Sequence, residues 1–418
     1  MEIAYFWKMT FEEFITAHKD DDTGKLLLGR DKWPEVDMGL AVNTIESLNV
    51  LKCKVPEWYL PGSLVFPSKL SAEQCSSSST ARYKAALFLK MPVGKPDGGK
   101  TVVADLTGGL GIDSWAFASV ASEVIYNEMD PVLANAAKEN FAKLGLGNIE
   151  VRNCELKPGN VQEIIGDRPS PDMIFLDPAR RSKDGRKVFF IEDCHPDILP
   201  LMDELLSVSK HILVKLSPMA DISMTAEKLG GHTKEIHVIS DGKECKELLI
   251  MMDRDWSGDY RVVACEGGVT LEFAKGEESG AVPIFPENGE RYPFLFEPGK
   301  AILKAGPFNL LCGRLGLVKL GRSTQLYFAK DKRPLAGLGK VFRIVGIVEL
   351  NNRNIKEMGK MFHKCEVTAR NIPMTSDALR GRMGLASGDE AHIFGVRIDY
   401  PEKSGNYIVI TKGTPEII

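Results

Sequence analysis

The chain contains no C-x-x-C pair. Its eight cysteines, Cys53, Cys75, Cys154, Cys194, Cys245, Cys265, Cys312 and Cys365, lie scattered through 418 residues. That spacing argues against a disulfide scaffold and against a structural zinc site, and it fits reduced thiols in a cytoplasmic protein. The seven histidines show no ligand spacing, so no metal is expected. No apolar run reaches the ~18 residues that a membrane span needs. The opening MEIAYFWKMTFEEF carries Glu2, Glu12 and Glu13, which is unlike a secretory signal. There is no internal repeat. What remains is an ordinary globular composition, in a length that suggests two or three domains at about 100–200 residues each.

Charge is uneven along the chain. From Lys300 to Arg382 there are 17 Lys and Arg against 5 Asp and Glu, while the whole chain has a net charge of −4. A basic module joined to an acidic body predicts a polyanionic partner for that module. The residues that could track a phosphate backbone include Lys304, Lys319, Arg322, Lys332, Arg333 and Arg370.

Hydrophobic periodicity divides the chain into four parts. Residues 1–98 read as helices broken by Pro56, Pro61, Gly62 and Pro67, with the serine run before Ala81 capping one of them. Residues 99–254 alternate short β-branched runs with helices, the signature of an α/β, doubly wound, mainly parallel sheet. Asp130, Pro131 and Gly145 bracket one of these helices as N-cap, first turn and stop. Residues 255–300 read as a small β-rich piece in which YRVVACE, VTLEFAK and VPIFP are strands. Residues 301–418 mix strands with helices as an α+β module.

The first strand of the 99–254 region ends in Asp105-Leu-Thr107-Gly108-Gly109-Leu-Gly111, and a helix follows. Glycines there let a ligand approach the backbone, and a helix start presents free N–H groups. The next strand ends in Asn127-Glu128-Met129-Asp130. A carboxylate about 20 residues beyond such a loop suits ribose hydroxyls. Dinucleotides and S-adenosylmethionine both fit this logic. Asp105 would attract a ligand ammonium and repel a pyrophosphate. No full G-x-G-x-x-G is present, and later strands end in Glu155 and Asp177. These features favour S-adenosylmethionine over a Rossmann dehydrogenase cofactor.

At these residues the chain resembles a class I S-adenosylmethionine-dependent methyltransferase. The first motif of that family usually reads D/E-x-G-x-G-x-G; here Thr107 stands in place of the first glycine. The resemblance implies a seven-stranded sheet closed by a terminal hairpin running to Met252. It implies cofactor contacts from Asp105, Thr107, Gly108, Gly109, Gly111, Glu128, Met129, Cys154, Glu155 and Asp177. The fourth strand, IFLDPARR, resembles the D-P-P-Y motif of enzymes that methylate exocyclic amines. Asp177 and Pro178 match it, whereas Ala179 and Arg180 replace the second proline and the aromatic. Arg180 and Arg181 could instead hold phosphate. No cysteine stands near Pro178 or at Lys215-Leu-Ser-Pro218, which argues against carbon-5 pyrimidine chemistry.

A second pattern competes. Ribose 2′-O-methyltransferases use a Lys-Asp-Lys-Glu tetrad, and Lys84, Asp177, Lys215 and Glu247 occupy the matching places in chain order. From about Phe294 the tail resembles the THUMP-like domain fused to such enzymes in a bacterial family, where residues 255–300 would be a small ferredoxin-like or linker piece ahead of it, and that implies RNA as partner. The expectation is thus an S-adenosylmethionine-dependent methyltransferase of rRNA or tRNA, acting on a base amine or a ribose hydroxyl. The alternatives are a protein or small-molecule methyltransferase, and an inactive RNA-binding protein.

Overall fold

The computed structural model describes residues 9–59, 63–92, 99–180 and 191–417. The chain forms two compact units. The first takes residues through Leu216 together with Ser223–His232 and Ile250–Ser257; the second takes Ser217–Ile222, Thr233–Leu249 and Gly258–Ile418.

The N-terminal region is helical, as its periodicity predicts. Helix α1 (Met38–Lys54) buries Ala41, Ile45, Leu48 and Leu51, and helix α2 (Ser78–Lys90) starts at the N-cap Ser77. The Asn140 side chain ties this region to the α/β part: its Oδ1 accepts from the Val65 amide at 2.9 Å and its Nδ2 donates to the Val65 carbonyl at 2.8 Å.

The α/β strands are β1 (Val102–Asp105), β2 (Glu123–Asn127), β3 (Ile149–Arg152), β4 (Met173–Leu176), β5 (His211–Leu216), β6 (Thr233–Ser240), β7 (Cys245–Asp253), β8 (Arg261–Glu266) and β9 (Val269–Ala274). They form one sheet in the order β9-β8-β6-β7-β5-β4-β1-β2-β3. Pairs β1–β2, β2–β3, β1–β4 and β4–β5 are all parallel. Helix α3 (Ile112–Ala118) follows β1, and helix α4 (Pro131–Lys143) follows β2 with Asp130 as N-cap and Pro131 in its first turn. Strands β1 and β4 are buried along their full length, so they read as continuous apolar runs.

The sheet has nine strands, not the expected seven. Strand β8 pairs parallel with β6, and β9 pairs antiparallel with β8. The sequence YRVVACE and VTLEFAK does form strands, but they extend this sheet instead of building a separate piece. Alternation identifies a strand without saying which edge it joins. The third expected strand of that region, VPIFP, forms none, because Pro283 and Pro286 cannot donate to a ladder.

The second unit also holds a seven-stranded sheet. Its strands are β10 (Phe294–Pro298), β11 (Val318–Gly321), β12 (Thr324–Ala329), β13 (Gly339–Glu349), β14 (Lys364–Arg370), β15 (Ala386–Asp399) and β16 (Ser404–Lys412), in the order β11-β12-β10-β13-β16-β15-β14. Helices α5 (Asn352–Met361) and α6 (Ser376–Met383) bury Ile355, Met358, Leu379 and Met383 in a cluster with Val367, Ile393, Ile408 and Ile410. Phe394, Val409 and Val396 enter a different cluster with Leu295, Phe328 and Phe342. The alternation of neighbours such as Ile393 and Phe394 between two clusters is the period-two signature of a strand.

Candidate active site

The loop after β1 is shaped by what lies beneath it. Gly108 sits so close to the Tyr126 ring that a Cβ there would come within 2.1 Å of it. The Tyr126 hydroxyl in turn donates to the Gly109 carbonyl at 2.5 Å. Gly109 has φ +52° and open space where a Cβ would stand. A ligand can therefore lie directly on that backbone. Gly108→Ala should collapse the loop: the ring cannot retreat from a 0% exposed position without leaving a void. We expect a melting temperature several degrees lower and no thermal shift on adding S-adenosylhomocysteine; a wild-type shift would contradict the account.

Three carboxylates converge here with different partners. Asp105, 1% exposed, accepts from the Ser114 hydroxyl at 2.6 Å and from the Thr107 amide at 3.2 Å. Burial pushes its pKa up to about 8, and the nearby Asp113 and Asp177 carboxylates add to the rise against the Ser114 and Thr107 hydrogen bonds. Glu128 accepts from the Gly109 amide at 2.9 Å through one oxygen and from the Asp130 amide at 2.9 Å through the other, so its carboxylate is held at the lip of the loop. Met129 beside it is 48% exposed, an apolar surface next to the carboxylate. Asp177 accepts from Lys215 Nζ at 2.5 Å, and its amide donates to the Thr107 hydroxyl at 2.6 Å. Pro178 is buried behind it.

These groups suit S-adenosylmethionine. Gly109 could lie against the ligand through its open backbone, Glu128 could accept from ribose hydroxyls, and Asp105 could face an ammonium once its carboxyl ionises. The fit has a pH consequence. If the ligand ammonium requires ionised Asp105, affinity falls about tenfold per pH unit well below about 8. The same raised pKa means that the ligand-free fold loses stability as pH climbs from about 4 toward 8, since the native state holds the proton that the unfolded state releases. Calorimetry in buffers of different ionisation enthalpy should show proton release on binding. Affinity that ignores pH between 6 and 8 would remove Asp105 from the contact.

The structure also adds residues that the sequence reading passed over. Asn127 is fully buried and holds three strand ends together. Its Nδ2 donates to the carbonyls of Leu106 (3.2 Å) and Cys154 (2.9 Å), and its Oδ1 accepts from the Cys154 amide at 3.1 Å. Cys154 thus meets the site through its backbone, while the Glu155 carboxylate pairs with Lys157 at 2.7 Å. The only sequence signal for Asn127 was a polar residue ending an apolar strand.

Lys84 is 0% exposed on α2. Its ammonium lies 3.1 Å from Asp113 and 3.0 Å from the Ser76 hydroxyl, which itself donates to Asp113 at 2.8 Å. It also stands 5.9 Å from the centre of the Phe175 ring. Of the four tetrad positions, Lys215 and Asp177 form an ion pair, Lys84 has the partners just named, and Glu247 is buried on β7 within the second unit. Cys75 is a thiol close enough to Asp113, Lys215 and Asp177 to feel their charge. Burial pushes its pKa up to about 11, so it stays protonated and is no thiolate nucleophile.

The residues expected to contact phosphate lie in different surroundings. Lys319 is 4% exposed, packed 5.7 Å from the Phe308 ring centre, with a pKa lowered by burial. Lys332 pairs with Glu416, Arg333 with Asp331, and Arg370 with Glu297. Lys304 donates to the Ala220 carbonyl at 2.8 Å. The charge excess of residues 300–382 is therefore reduced by acids outside that window, namely Glu297 and Glu416 here and Glu277 at Arg314. Arg322 remains exposed. Arg181 and the side chain of Arg180 lie outside the described residues. Among the described residues, Arg353 and Lys356 on α5, with Lys340 and Lys364, are exposed cations without an ion-pair partner. No group of residues able to hold a metal is found among the described residues.

A mainly parallel sheet of this strand order, with the carboxylates Asp105, Glu128 and Asp177 at the ends of β1, β2 and β4, has the architecture of an S-adenosylmethionine-dependent methyltransferase. Comparison with known proteins places it further. Residues 294–334 match a ferredoxin-like domain model and residues 339–412 a THUMP domain-like model. The chain is 30% identical to a protein of Porphyromonas gingivalis W83 whose crystal structure is described as a methyltransferase. That match has a TM-score of 0.81 and covers 97% of this chain and 98% of the other. It is also 25% identical, over 68% of this chain and 74% of theirs, to uncharacterised S-adenosylmethionine-dependent methyltransferases from two strains of Mycobacterium tuberculosis. The chain belongs to the family of S-adenosylmethionine-dependent methyltransferases that carry a C-terminal THUMP-like domain, and S-adenosylmethionine is its cofactor.

Proposed function

We propose that this methyltransferase modifies RNA, at a base exocyclic amine or a ribose 2′-hydroxyl. The observation that carries the reading is Asp177. It ends β4 beside the cofactor loop, with one carboxylate oxygen on Lys215 and the other accepting from no described residue. That oxygen can take a hydrogen bond from the N–H or O–H of the acceptor. The THUMP-like match supports RNA as the molecule that brings it.

The cofactor, when bound, supplies a methyl group on a sulfonium. The chain's own residues do the rest. Asp105 would hold the ligand's ammonium and Glu128 its ribose hydroxyls. Asp177 orients the acceptor's lone pair and receives the proton that the acceptor sheds. Lys215 holds the Asp177 carboxylate at one angle. Transfer of this kind is a displacement in line, so positioning supplies most of the rate. A base target would have to be turned out of its stack to reach Asp177.

The decisive experiment is nucleoside mass spectrometry of RNA from cells with and without the gene. One methylated nucleoside should vanish on deletion and return with the wild-type gene. An unchanged profile would leave a protein or small-molecule acceptor, a reading favoured by the internal pairing of Lys332, Arg333 and Arg370. The intact set of Asp105, Glu128 and Asp177 speaks against an inactive binding protein.

RNA affinity gives a further test. Arg353→Ala with Lys356→Ala should weaken binding uniformly across sequences and flatten the plot of log affinity against log salt by about 0.7–0.9 per lost contact. Lys319→Ala should lower the melting temperature and leave that slope alone, because Lys319 is buried.

A further inference from the structure

The amide of Asp177 has no place in the sheet. The last pairs of β4 are Phe175 with Asp105 on one side and Leu176 with Val214 on the other, so the ladder has ended one residue earlier. The following residue, Pro178, has no N–H. A backbone donor at this point needs a partner from elsewhere. It finds the Thr107 hydroxyl at 2.6 Å. Thr107 stands at the position where the resembling motif has glycine, which could not accept this bond. Its own amide donates to Asp105 at 3.2 Å. One residue therefore touches two strand ends: Asp105 at the end of β1 through its backbone, and the Asp177–Pro178 turn after β4 through its side chain.

We infer that Thr107 is a positioning residue that fixes the acceptor-side turn, and with it the Asp177 carboxylate, on the cofactor loop. The hydroxyl that departs from the family pattern sets the register between the two halves of the site. Lys215 controls the other end of Asp177 through its 2.5 Å ion pair. With Thr107 holding the backbone and Lys215 holding the carboxylate, neither end of Asp177 is free to swing. The inference deepens the RNA reading and in its kinetic part rests on it.

The test compares Thr107→Val, which keeps the shape and loses the acceptor, with Thr107→Ser, which keeps the hydroxyl. Amide hydrogen exchange of the Met173–Arg180 segment reads the bond without any acceptor substrate. We expect exchange at Asp177 to quicken at least tenfold in the valine variant and to stay within threefold of wild type in the serine variant. Turnover is read on total RNA from cells lacking the gene, with methyl-labelled S-adenosylmethionine. There kcat should fall about 10- to 100-fold for valine, KM for the cofactor should stay within threefold, and serine should restore kcat. A merely structural role would move cofactor affinity and melting temperature together with kcat, and serine would not restore the split. Wild-type exchange and wild-type kcat in the valine variant would overturn the inference. If the valine variant does not fold, Thr107→Ala is judged by the same readings. If even the wild-type protein labels no RNA, the RNA reading fails, and the exchange comparison alone still decides the role of Thr107.

Discussion

Asp177→Ala is expected to abolish methyl transfer while the affinity for S-adenosylmethionine stays within a few-fold. The carboxylate meets the acceptor, whereas Asp105 and Glu128 hold the cofactor. Loss of a positioned proton acceptor typically costs 10²–10⁴ in rate, and misorientation of the acceptor adds to that. Asp177→Asn separates the two contributions. It keeps the backbone bond to Thr107 and a hydrogen-bonding oxygen but removes the negative charge, so an intermediate loss is expected. Both variants are read as single-turnover rates on RNA from cells lacking the gene, alongside calorimetry with S-adenosylhomocysteine. Undiminished turnover in the alanine variant would take Asp177 out of the chemistry.

Lys84→Met should produce the largest loss of stability. The ammonium is wholly buried and shares Asp113 with the Ser76 hydroxyl. Breaking a buried pair from one side strands the other charge, at a cost of about 3–5 kcal/mol. At roughly 2–4 °C per kcal/mol for a unit of this size, the melting temperature should fall by about 6–20 °C. Adding Asp113→Asn to the methionine variant should recover part of that loss, because the stranded carboxylate is then gone. A melting temperature within a degree or two of wild type would show that the pair contributes nothing net. The same variant also addresses the tetrad. Assayed well below its melting point, it should retain turnover if Lys84 only anchors α2, and lose it if Lys84 meets the acceptor.

The two experiments probe different layers of one region. Asp177 and Lys215 pair at the ends of neighbouring strands, where the Asp177 side chain keeps about a third of its surface exposed. Lys84 and Asp113 lie where α2 packs on α3, closed to solvent. Both sets are polar, and only burial tells them apart.

Much of this was legible from the chain alone. The alternation of β-branched runs with helices pointed to a mainly parallel α/β sheet, because period-two and period-3.6 patterns bury different faces. Asp130, Pro131 and Gly145 marked the limits of a helix through local backbone chemistry that needs no partner. Asp105, Glu128 and Asp177 were readable as strand-end carboxylates, since in a parallel sheet the strand ends gather on one side whatever their sequence separation. The glycines of the loop were readable for the same local reason.

The rest required the folded chain. Nothing in the sequence said that Arg261–Glu266 and Val269–Ala274 would extend the large sheet, because a strand's partner is chosen by a distant edge. The basic stretch from Lys300 to Arg382 suggested a surface for phosphate, but Glu297, Glu416 and Glu277 reach it from outside the window and Lys319 turns inward. Charge along a chain adds up locally, whereas charge in a fold adds up by distance. Thr107 could be seen as a departure from a motif, yet its reason lies 70 residues away, in a backbone amide left over where a ladder stops. Short-range chemistry was written in the order of the residues; which donor met which acceptor between strand ends was decided only when the strands were laid side by side.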